Sequence, residues 1–387
     1  MRYAEVPLAL QNARAGSRVV SLDALRGFNF VWILGGDGAV AAIAYMLHDK
    51  GPLASGIGDM LGTQMTHAVW DGFRFYDLIF PLFIFITGVA IVLSLPKLVE
   101  REGKVRAHWH VLRRALLLYA LGLVYYGGLH GHWDDVRFLG VLQRIAICYL
   151  AASLIVLNFS WRGLAVAFVT LVGGYWALMI FMPVPGWGAP NLVPEFNLAA
   201  YIDERYLPGH LFDTSTDPEG LLSTLPAIGS CLIGVFAGLL LKNERVTPQA
   251  KVLWLIGAGT IMLAAGYLWS LQFPIIKYIW TSSFVLVAGG FSAILLGVFY
   301  QVIDVWGFKR WATPFVWIGA NAIMLYFING VTGFEPFARR FVGGDVSRFF
   351  DALLTPGTGA LVSHVVGLGL VLALAGYFYR RKIFLKV

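Results

Sequence analysis

Long apolar runs, separated by short polar segments, recur along the whole chain. A helix needs about 20 apolar residues to cross the hydrocarbon core of a membrane. Ten runs meet that length, and they are apolar on all sides of a helix. The strands of a membrane barrel instead alternate polar and apolar residues. The pattern therefore predicts ten membrane-spanning helices. They cover residues 22–46, 76–96, 112–130, 138–158, 163–183, 221–241, 252–271, 280–304, 312–330 and 357–379.

The composition agrees with a membrane environment. Hydrophobic residues make up 58% of the 387 residues, charged residues make up 13%, and the mean hydropathy is +0.72. A water-soluble domain does not have this composition. The N-terminal segment lacks an apolar core of signal-peptide length, so no cleaved presequence is expected. We predict an all-α, polytopic membrane protein.

Basic residues are distributed unevenly between the loops on the two faces. Nineteen of the 29 lysines and arginines lie in the termini and in the loops on the same side as the termini, and eight lie in the opposite loops. Cytoplasmic loops carry the excess of Lys and Arg, so both termini are predicted to be cytoplasmic. This asymmetry also accounts for the net charge of +7, so no nucleic-acid partner is required.

The chain contains no repeat of fixed period and no linker between two halves, so residues 1–387 are predicted to form a single transmembrane domain. The longest insert between spans, 184–220, lies on the outer face and is rich in proline, aromatic and acidic residues. It suits a lid over a site, and an ordered surface loop without a catalytic part explains it equally well.

The sequence indicates neither a metal site nor redox chemistry. Cys148 and Cys231 lie within predicted spans and have no CxxC or Cys/His spacing, which is typical of small buried residues. His130 and His132 fit a solvated turn better than a pair of metal ligands.

Ionisable residues within or beside spans are the best functional signal in a membrane sequence, because each is costly unless it faces a polar cavity or a partner. In the first span, Ser21 and Asp23 can cap the helix, and Asp23 and Arg26 have the spacing of an ion pair. Asp37 follows a glycine pair that allows close approach of a ligand or backbone, and this segment can also break the helix.

A histidine and two carboxylates precede the second span: His67, Asp71 and Asp77. A neutral imidazole with a pKa of about 6.5 can take a proton from an attacking amine or hydroxyl, and a nearby carboxylate can fix its tautomer. A histidine that only makes structural hydrogen bonds fits the same spacing.

Three arginines also lie in or next to spans. Arg144 in the fourth span needs an acidic partner, a phosphate or a water-filled cavity, and Asp37 or Asp77 is a natural partner. Arg113 and Arg114 at the cytoplasmic start of the third span suit membrane anchors or phosphate binding.

Eight segments occur in a characteristic order along the chain. They are SLDALRGF, HAVWDGFRFYDLIFPLFIFITG, RRALLLYALGL, VRFLGVLQRIAICYL, DPEGLLSTLPAIGSCLIGVFAGLLL, WTSSFVLVAGGF, GANAIMLY and YFYRRKIFLKV. In this order they resemble the heparan-α-glucosaminide N-acetyltransferase family of transmembrane acyltransferases over nearly the whole chain. The resemblance implies transfer of an acetyl group from cytosolic acetyl-CoA to the amine of a glucosamine unit across the membrane. It also implies a location in a bacterial inner membrane.

The resemblance implies roles for individual residues. The family's catalytic histidine matches His67, and its following acid matches Asp77. Asp37 is a further catalytic candidate because it can orient His67 in place of Asp77, and Asp71 is a candidate for binding the acceptor. Many members of the family have asparagine at both positions, so the details of acceptor binding differ from the family pattern here. Arg144 and Glu219 are further candidates for acceptor binding. Candidate contacts to acetyl-CoA are Arg113, Arg114, Trp280, Ser282, Ser283 and Asn321.

Several alternatives remain open from the sequence. His67 can act as a base for direct transfer or carry the acetyl group itself, and Arg144 or a hydroxyl can stabilise the oxyanion. The cavity can instead belong to a transporter of amino sugars or N-acetyl sugars, or the acceptor can be a hydroxyl of a surface polysaccharide. Gly234 and Gly238 permit close helix packing within one subunit or in a homodimer.

Overall fold

The computed structural model describes residues 19–128, 132–188, 191–213 and 216–385. Within these residues it contains sixteen α-helices, and extended segments pair only through single bridges. The helices are α1 (Val20–Val31), α2 (Asp37–Leu47), α3 (Pro52–Gln64), α4 (Ile79–Glu102), α5 (Lys104–Tyr125), α6 (Val141–Asn158), α7 (Trp161–Phe181), α8 (Leu198–Tyr206), α9 (Thr224–Lys242), α10 (Pro248–Ser270), α11 (Ser282–Tyr300), α12 (Thr313–Ala320), α13 (Ala322–Thr332), α14 (Phe334–Val342), α15 (Asp345–Leu353) and α16 (Thr358–Arg380). Shorter helical segments are Trp32–Gly36, Phe75–Leu78, Trp133–Asp135 and Gln301–Val305.

Eight helical stretches of the described chain are long and apolar enough to cross a membrane, and the pair α12 and α13, bent by 76°, is a ninth if the two helices form one span. Nine of the ten predicted spans correspond to these stretches. The remaining one, 112–130, corresponds to α5, whose first half contains histidines and arginines and is less apolar. The all-α, multi-pass membrane fold is confirmed. The cytoplasmic position of the termini stays a prediction, and residues 1–18, which carry part of the basic excess, lie outside the described residues.

The first span is broken at its glycine pair. The segment Trp32–Gly36 is π-helical, and Gly35 has a φ of +120°, which a residue with a side chain rarely adopts. The predicted cap from within α1 is wrong. The carboxylate of Asp304 accepts the N–H groups of Val20 (3.3 Å) and Ser21 (3.0 Å), so a residue far along the chain satisfies the start of this helix.

The buried core lies where α4, α6, α9 and α11 pack together. Helices α4 and α9 approach closely because their glycines face backbone. A Cβ atom on Gly234 would overlap the carbonyl oxygen of Phe85, and one on Gly88 would overlap that of Cys231. Gly234 and Gly238 therefore pack within one subunit, and a homodimer stays a prediction. Both cysteines are buried free thiols, in agreement with the sequence.

We expect Gly234→Ala to lower the thermal unfolding temperature of the detergent-solubilised protein, because the added methyl group forces α4 and α9 apart. Overpacking of this kind costs about 1–3 kcal/mol. Gly257→Ala in α10 is the matched control, since its added Cβ would meet no heavy atom within 4 Å. Equal unfolding temperatures for the two variants would contradict this packing.

Candidate active site

The buried carboxylate of Asp77 organises the loop before α4. It lies in the short helical turn Phe75–Leu78 and has no exposed surface. Its Oδ2 accepts the N–H groups of Ala68 (3.2 Å) and Arg74 (3.0 Å), and its Oδ1 lies 2.8 Å from Nδ1 of His67. The loop is thereby folded back so that His67 stands beside the start of α4.

The imidazole of His67 is accessible from one side and supported on the others. Its side chain is 42% exposed, and its ring lies 4.9 Å from the ring of Tyr76. The hydroxyl of Tyr76 donates to Oδ2 of Asp37 at 2.9 Å. Asp77 therefore orients His67 directly, whereas Asp37 contacts Tyr76. Tyr76 was not identified from the sequence.

Lys277 is a second group at this site that sequence reasoning missed. Its Nζ lies 2.8 Å from Nδ1 and 3.0 Å from Nε2 of His67, and 3.5 Å from Oδ1 of Asp77. Burial lowers the pKa of Lys277, although the carboxylates of Asp77 and Glu219 oppose the shift. Lys277 could have been identified from the sequence, because it is a single charged residue in an apolar segment next to a span.

Asp71 holds the segment that carries Lys277. Its Oδ1 accepts the N–H of Ile275 at 3.1 Å, and the N–H of Gly72 donates to the carbonyl oxygen of Ile275 at 2.9 Å. Among the described residues, Asp71 does not line the cavity in front of His67. These contacts give Asp71 a structural role, and its part in acceptor binding stays a prediction.

A cavity of about 280 Å³, called the outer cavity, lies in front of His67 and Lys277. Phe212, Pro218 and Glu219, all from the predicted insert 184–220, form part of its wall. The insert therefore contributes side chains to the site. Its movement as a lid stays a prediction.

Opposite charges are paired at the far wall of the outer cavity. Nη2 of Arg137 lies 2.7 Å from Oε2 of Glu219 and 3.2 Å from Oδ1 of Asp217. The guanidinium group lies over the rings of Tyr126 (4.7 Å) and Phe212 (4.9 Å). Burial raises the pKa of Glu219, and the guanidinium groups of Arg144 and Arg137 oppose the shift. The wall offers charged, hydrogen-bonding and aromatic groups to a polar ligand.

A second cavity of about 160 Å³, called the inner cavity, lies toward the side of the chain termini. Arg26, Arg114 and Asn321 line it. The predicted ion pair is present, since Nη1 of Arg26 lies 3.3 Å from Oδ1 of Asp23. Asn321 is 3% exposed, and in the described chain neither polar atom of its amide has a hydrogen-bond partner. A buried amide of this kind suits a polar ligand.

The two cavities are adjacent. Phe83 in α4, Ile145 in α6 and Ile323 in α13 line both of them. The outer cavity and the inner cavity therefore share an apolar part of their walls within the helix bundle.

Other predicted donor-binding residues line neither cavity in the described part of the chain. Arg113 is exposed. Trp280 donates its indole N–H to Ser230 Oγ at 3.1 Å, and the hydroxyls of Ser282 and Ser283 donate to backbone carbonyl oxygens. Their polar groups stabilise the region around the start of α11. The contacts do not support a place for them along a donor path.

Arg144 is fully buried behind the outer cavity. Its Nη2 donates to the carbonyl oxygen of Gly220 (3.0 Å) and to Ser223 Oγ, and its guanidinium group lies 5.1 Å from the ring centre of Trp280. The predicted pairing of Arg144 with Asp37 or Asp77 is not present in the described chain: Nη2 bonds a carbonyl and a hydroxyl, and Nε and Nη1 have no hydrogen-bond partner there. Arg144 thus fixes the segment next to Glu219. His130 lies outside the described residues.

Asp203 in α8 is a buried acid next to the segment that carries Glu219. Its Oδ1 accepts the N–H of Leu221 at 2.7 Å. Burial raises the pKa of its carboxyl group to about 7. A carboxyl group whose pKa rises on folding stabilises the fold while it is protonated. This contribution is complete below about pH 4 and is lost as the pH rises through about 7.

We expect Asp203→Asn to flatten the fall in thermal stability between about pH 5 and about pH 8, because the amide keeps an acceptor for Leu221 and does not ionise. Unfolding temperatures measured across this range in detergent check the expectation. Asp213→Asn, at an exposed acid of the same loop, is the control. An unchanged pH dependence in Asp203→Asn would argue against burial of a titrating acid.

The chain is similar to known proteins of one family. The model of the family described as heparan-alpha-glucosaminide N-acetyltransferase, catalytic, matches residues 18–273. Relatives named heparan-alpha-glucosaminide N-acetyltransferase are 27% identical over 378 residues in Homo sapiens and 26% identical over 379 residues in Mus musculus. Each alignment covers 83% of this chain but only 55% and 56% of the relatives, so the chain spans about half their length. Because the family match covers well over half of the chain, this protein belongs to the heparan-α-glucosaminide N-acetyltransferase catalytic family.

Proposed function

We propose that this chain is a transmembrane acetyltransferase. It moves an acetyl group from acetyl-CoA, bound on the side of the chain termini, to the amine of glucosamine or a related amino sugar on the opposite side. The observation that carries the proposal is the pair of cavities that meet at Phe83, Ile145 and Ile323. In this proposal the membrane is a bacterial inner membrane and the termini are cytoplasmic, as the basic loops favour.

The inner cavity has the chemistry expected for the donor. The guanidinium groups of Arg26 and Arg114 suit the phosphate groups of CoA. The amide of Asn321 offers one acceptor and two donor hydrogens to the amides of the pantetheine arm. The apolar side chains between the cavities suit the short chain that ends in the thioester.

His67 acts as the general base in this proposal. In this proposal the N–H at Nδ1 of His67 donates a hydrogen bond to Oδ1 of Asp77. This tautomer leaves the lone pair on Nε2. That nitrogen takes a proton from the acceptor amine as the amine attacks the thioester carbonyl. The ammonium form of Lys277, beside the imidazole, stabilises the negative charge on the carbonyl oxygen, a role expected for Arg144 from the sequence.

The outer cavity has the chemistry expected for an amino-sugar acceptor. The carboxyl group of Glu219 suits the sugar's ammonium or hydroxyl groups, and Arg137 holds that carboxyl group in place. Phe212 and Tyr278 offer aromatic faces to a sugar ring. Asp37 keeps the support of His67 in position through Tyr76.

Three measurements separate this proposal from its alternatives: thiol release, uptake in vesicles and retention of a radiolabel. Purified protein that releases no thiol from acetyl-CoA with any of several amino sugars, yet takes them up in vesicles, would be a transporter. Thiol release with polysaccharide hydroxyls but not with amines would indicate O-acetylation. Radiolabel retained on His67 without acceptor would indicate a route through an acetyl-histidine, and its absence would favour direct transfer.

We expect His67→Ala to slow thiol release from acetyl-CoA in the presence of glucosamine by about 100-fold or more, because the transition state loses its base. The measurement is a thiol assay on detergent-solubilised protein. His48→Ala is the matched control, since this histidine lies on the same face with 61% of its side chain exposed. Activity retained in His67→Ala would overturn the assignment of the base.

We expect Asn321→Leu to raise the KM for acetyl-CoA by about tenfold and to leave kcat nearly unchanged, because ground-state and transition-state binding lose the same hydrogen bonds. Initial rates measured across acetyl-CoA concentrations check this expectation. Asn158→Leu, at an exposed amide on the same face, is the control. An unchanged KM would remove Asn321 from the donor site.

A further inference from the structure

The amine of Lys277 lies as close to His67 as an acceptor amine has to come for the transfer reaction. Its Nζ lies 2.8 Å and 3.0 Å from the two ring nitrogens of His67. Lys277 lines the outer cavity together with His67, and 15% of its side chain is exposed there. A base that takes a proton from a sugar amine at this place is equally close to the lysine amine.

The surroundings of Lys277 also favour a reactive amine. Burial lowers the pKa of Lys277, so a larger share of its side chain is neutral than in a fully solvated lysine. A neutral primary amine is a nucleophile toward acyl carbonyl groups, whereas an ammonium ion is not. The contact with Asp77 at 3.5 Å opposes this shift and keeps part of the population charged.

We infer that Lys277 is a self-acetylation site that reacts with acetyl-CoA when no acceptor fills the outer cavity. This inference rests on the proposed function. The lone pair on Nζ attacks the thioester carbonyl carbon, the carbon–sulfur bond breaks, and CoA leaves as a thiolate. His67 takes a proton from the nitrogen and passes it to the thiolate, so the imidazole ends neutral. The products are an amide on Lys277 and free CoA.

Acetylation of Lys277 stops the transfer reaction. The acetylated side chain has no charge, so it loses its ion pair with Asp77 and no longer stabilises the oxyanion. The added acetyl group also takes space in front of His67. An amide does not pass its acetyl group to a sugar, so the modified chain stays inactive. A bound amino sugar fills the cavity and protects Lys277, which makes lasting activity depend on the supply of acceptor.

The test is peptide mass spectrometry on the detergent-solubilised full chain after incubation with acetyl-CoA and no acceptor. We expect an acetyl group on Lys277 that survives hydroxylamine, which removes acetyl groups from histidine. Transfer activity should fall in parallel, and glucosamine in the incubation should slow both changes. Lys50, an exposed lysine on the same face, reports uncatalysed acetylation and should stay nearly unmodified.

Variants connect the modification to the site. His67→Ala should slow acetylation of Lys277 by about 100-fold and leave Lys50 unchanged, because only Lys277 uses this base. His67→Gln, which is closer in size, serves as a second variant, and its thermal unfolding temperature reports whether the fold is kept. Lys277→Arg should remove the hydroxylamine-stable acetyl group at this position; its starting activity is lowered because Lys277 belongs to the site, but the activity that it keeps should not fall during incubation with acetyl-CoA.

The outcomes separate this inference from the proposed function. If the protein acetylates glucosamine but Lys277 gains no acetyl group, or gains one no faster than Lys50, the inference is wrong and the proposed function stands. Acetylation of Lys277 at an unchanged rate in both His67 variants also overturns it. If the protein neither releases thiol with amino sugars nor acetylates Lys277, both proposals are wrong.

Discussion

The candidate site depends on one buried carboxylate. Asp77 has no exposed surface, and a charge in an apolar environment is costly unless hydrogen bonds and opposite charges satisfy it. Two backbone N–H groups, those of Ala68 and Arg74, meet one oxygen, while His67 and Lys277 lie close to the other. Satisfying this single group brings the loop after α3 and the segment before α11 together at the start of α4.

Helix α4 connects the site with the rest of the bundle. Asp77 lies in the turn that leads into this helix, Phe83 lies between the two cavities, and Gly88 packs against α9. Because the bundle interior is apolar, polar groups are stable only where they meet partners or a cavity. Arg144 meets partners in the protein through Nη2 alone, and its Nε and Nη1 have no hydrogen-bond partner in the described chain. The amide of Asn321, which also has no such partner there, lines the inner cavity.

The sequence located part of this site and missed the rest. His67 and Asp77 are ten positions apart, and the resemblance to the family singled out both, whereas their spacing alone also fitted a histidine with only structural hydrogen bonds. Lys277 lies 210 positions from His67, and nothing in the local pattern links the two. Ser282 and Ser283 are the reverse case, in which the sequence suggested a contact with the ligand and the structure shows contacts within the protein. Their hydroxyls matched a family motif, yet both are used to bond backbone carbonyl oxygens.

The sequence by itself determined the membrane environment, the helical class, the positions of most of the spans and the closeness of His67 and Asp77 along the chain. Each of these follows from local hydropathy or short spacing. Only the tertiary structure decided that Lys277 stands beside His67, that Asp37 contacts Tyr76, and that two cavities meet inside the bundle. Hydrogen bonds act over about 3 Å, so the partner of a polar group becomes defined only when helices from distant parts of the chain are packed.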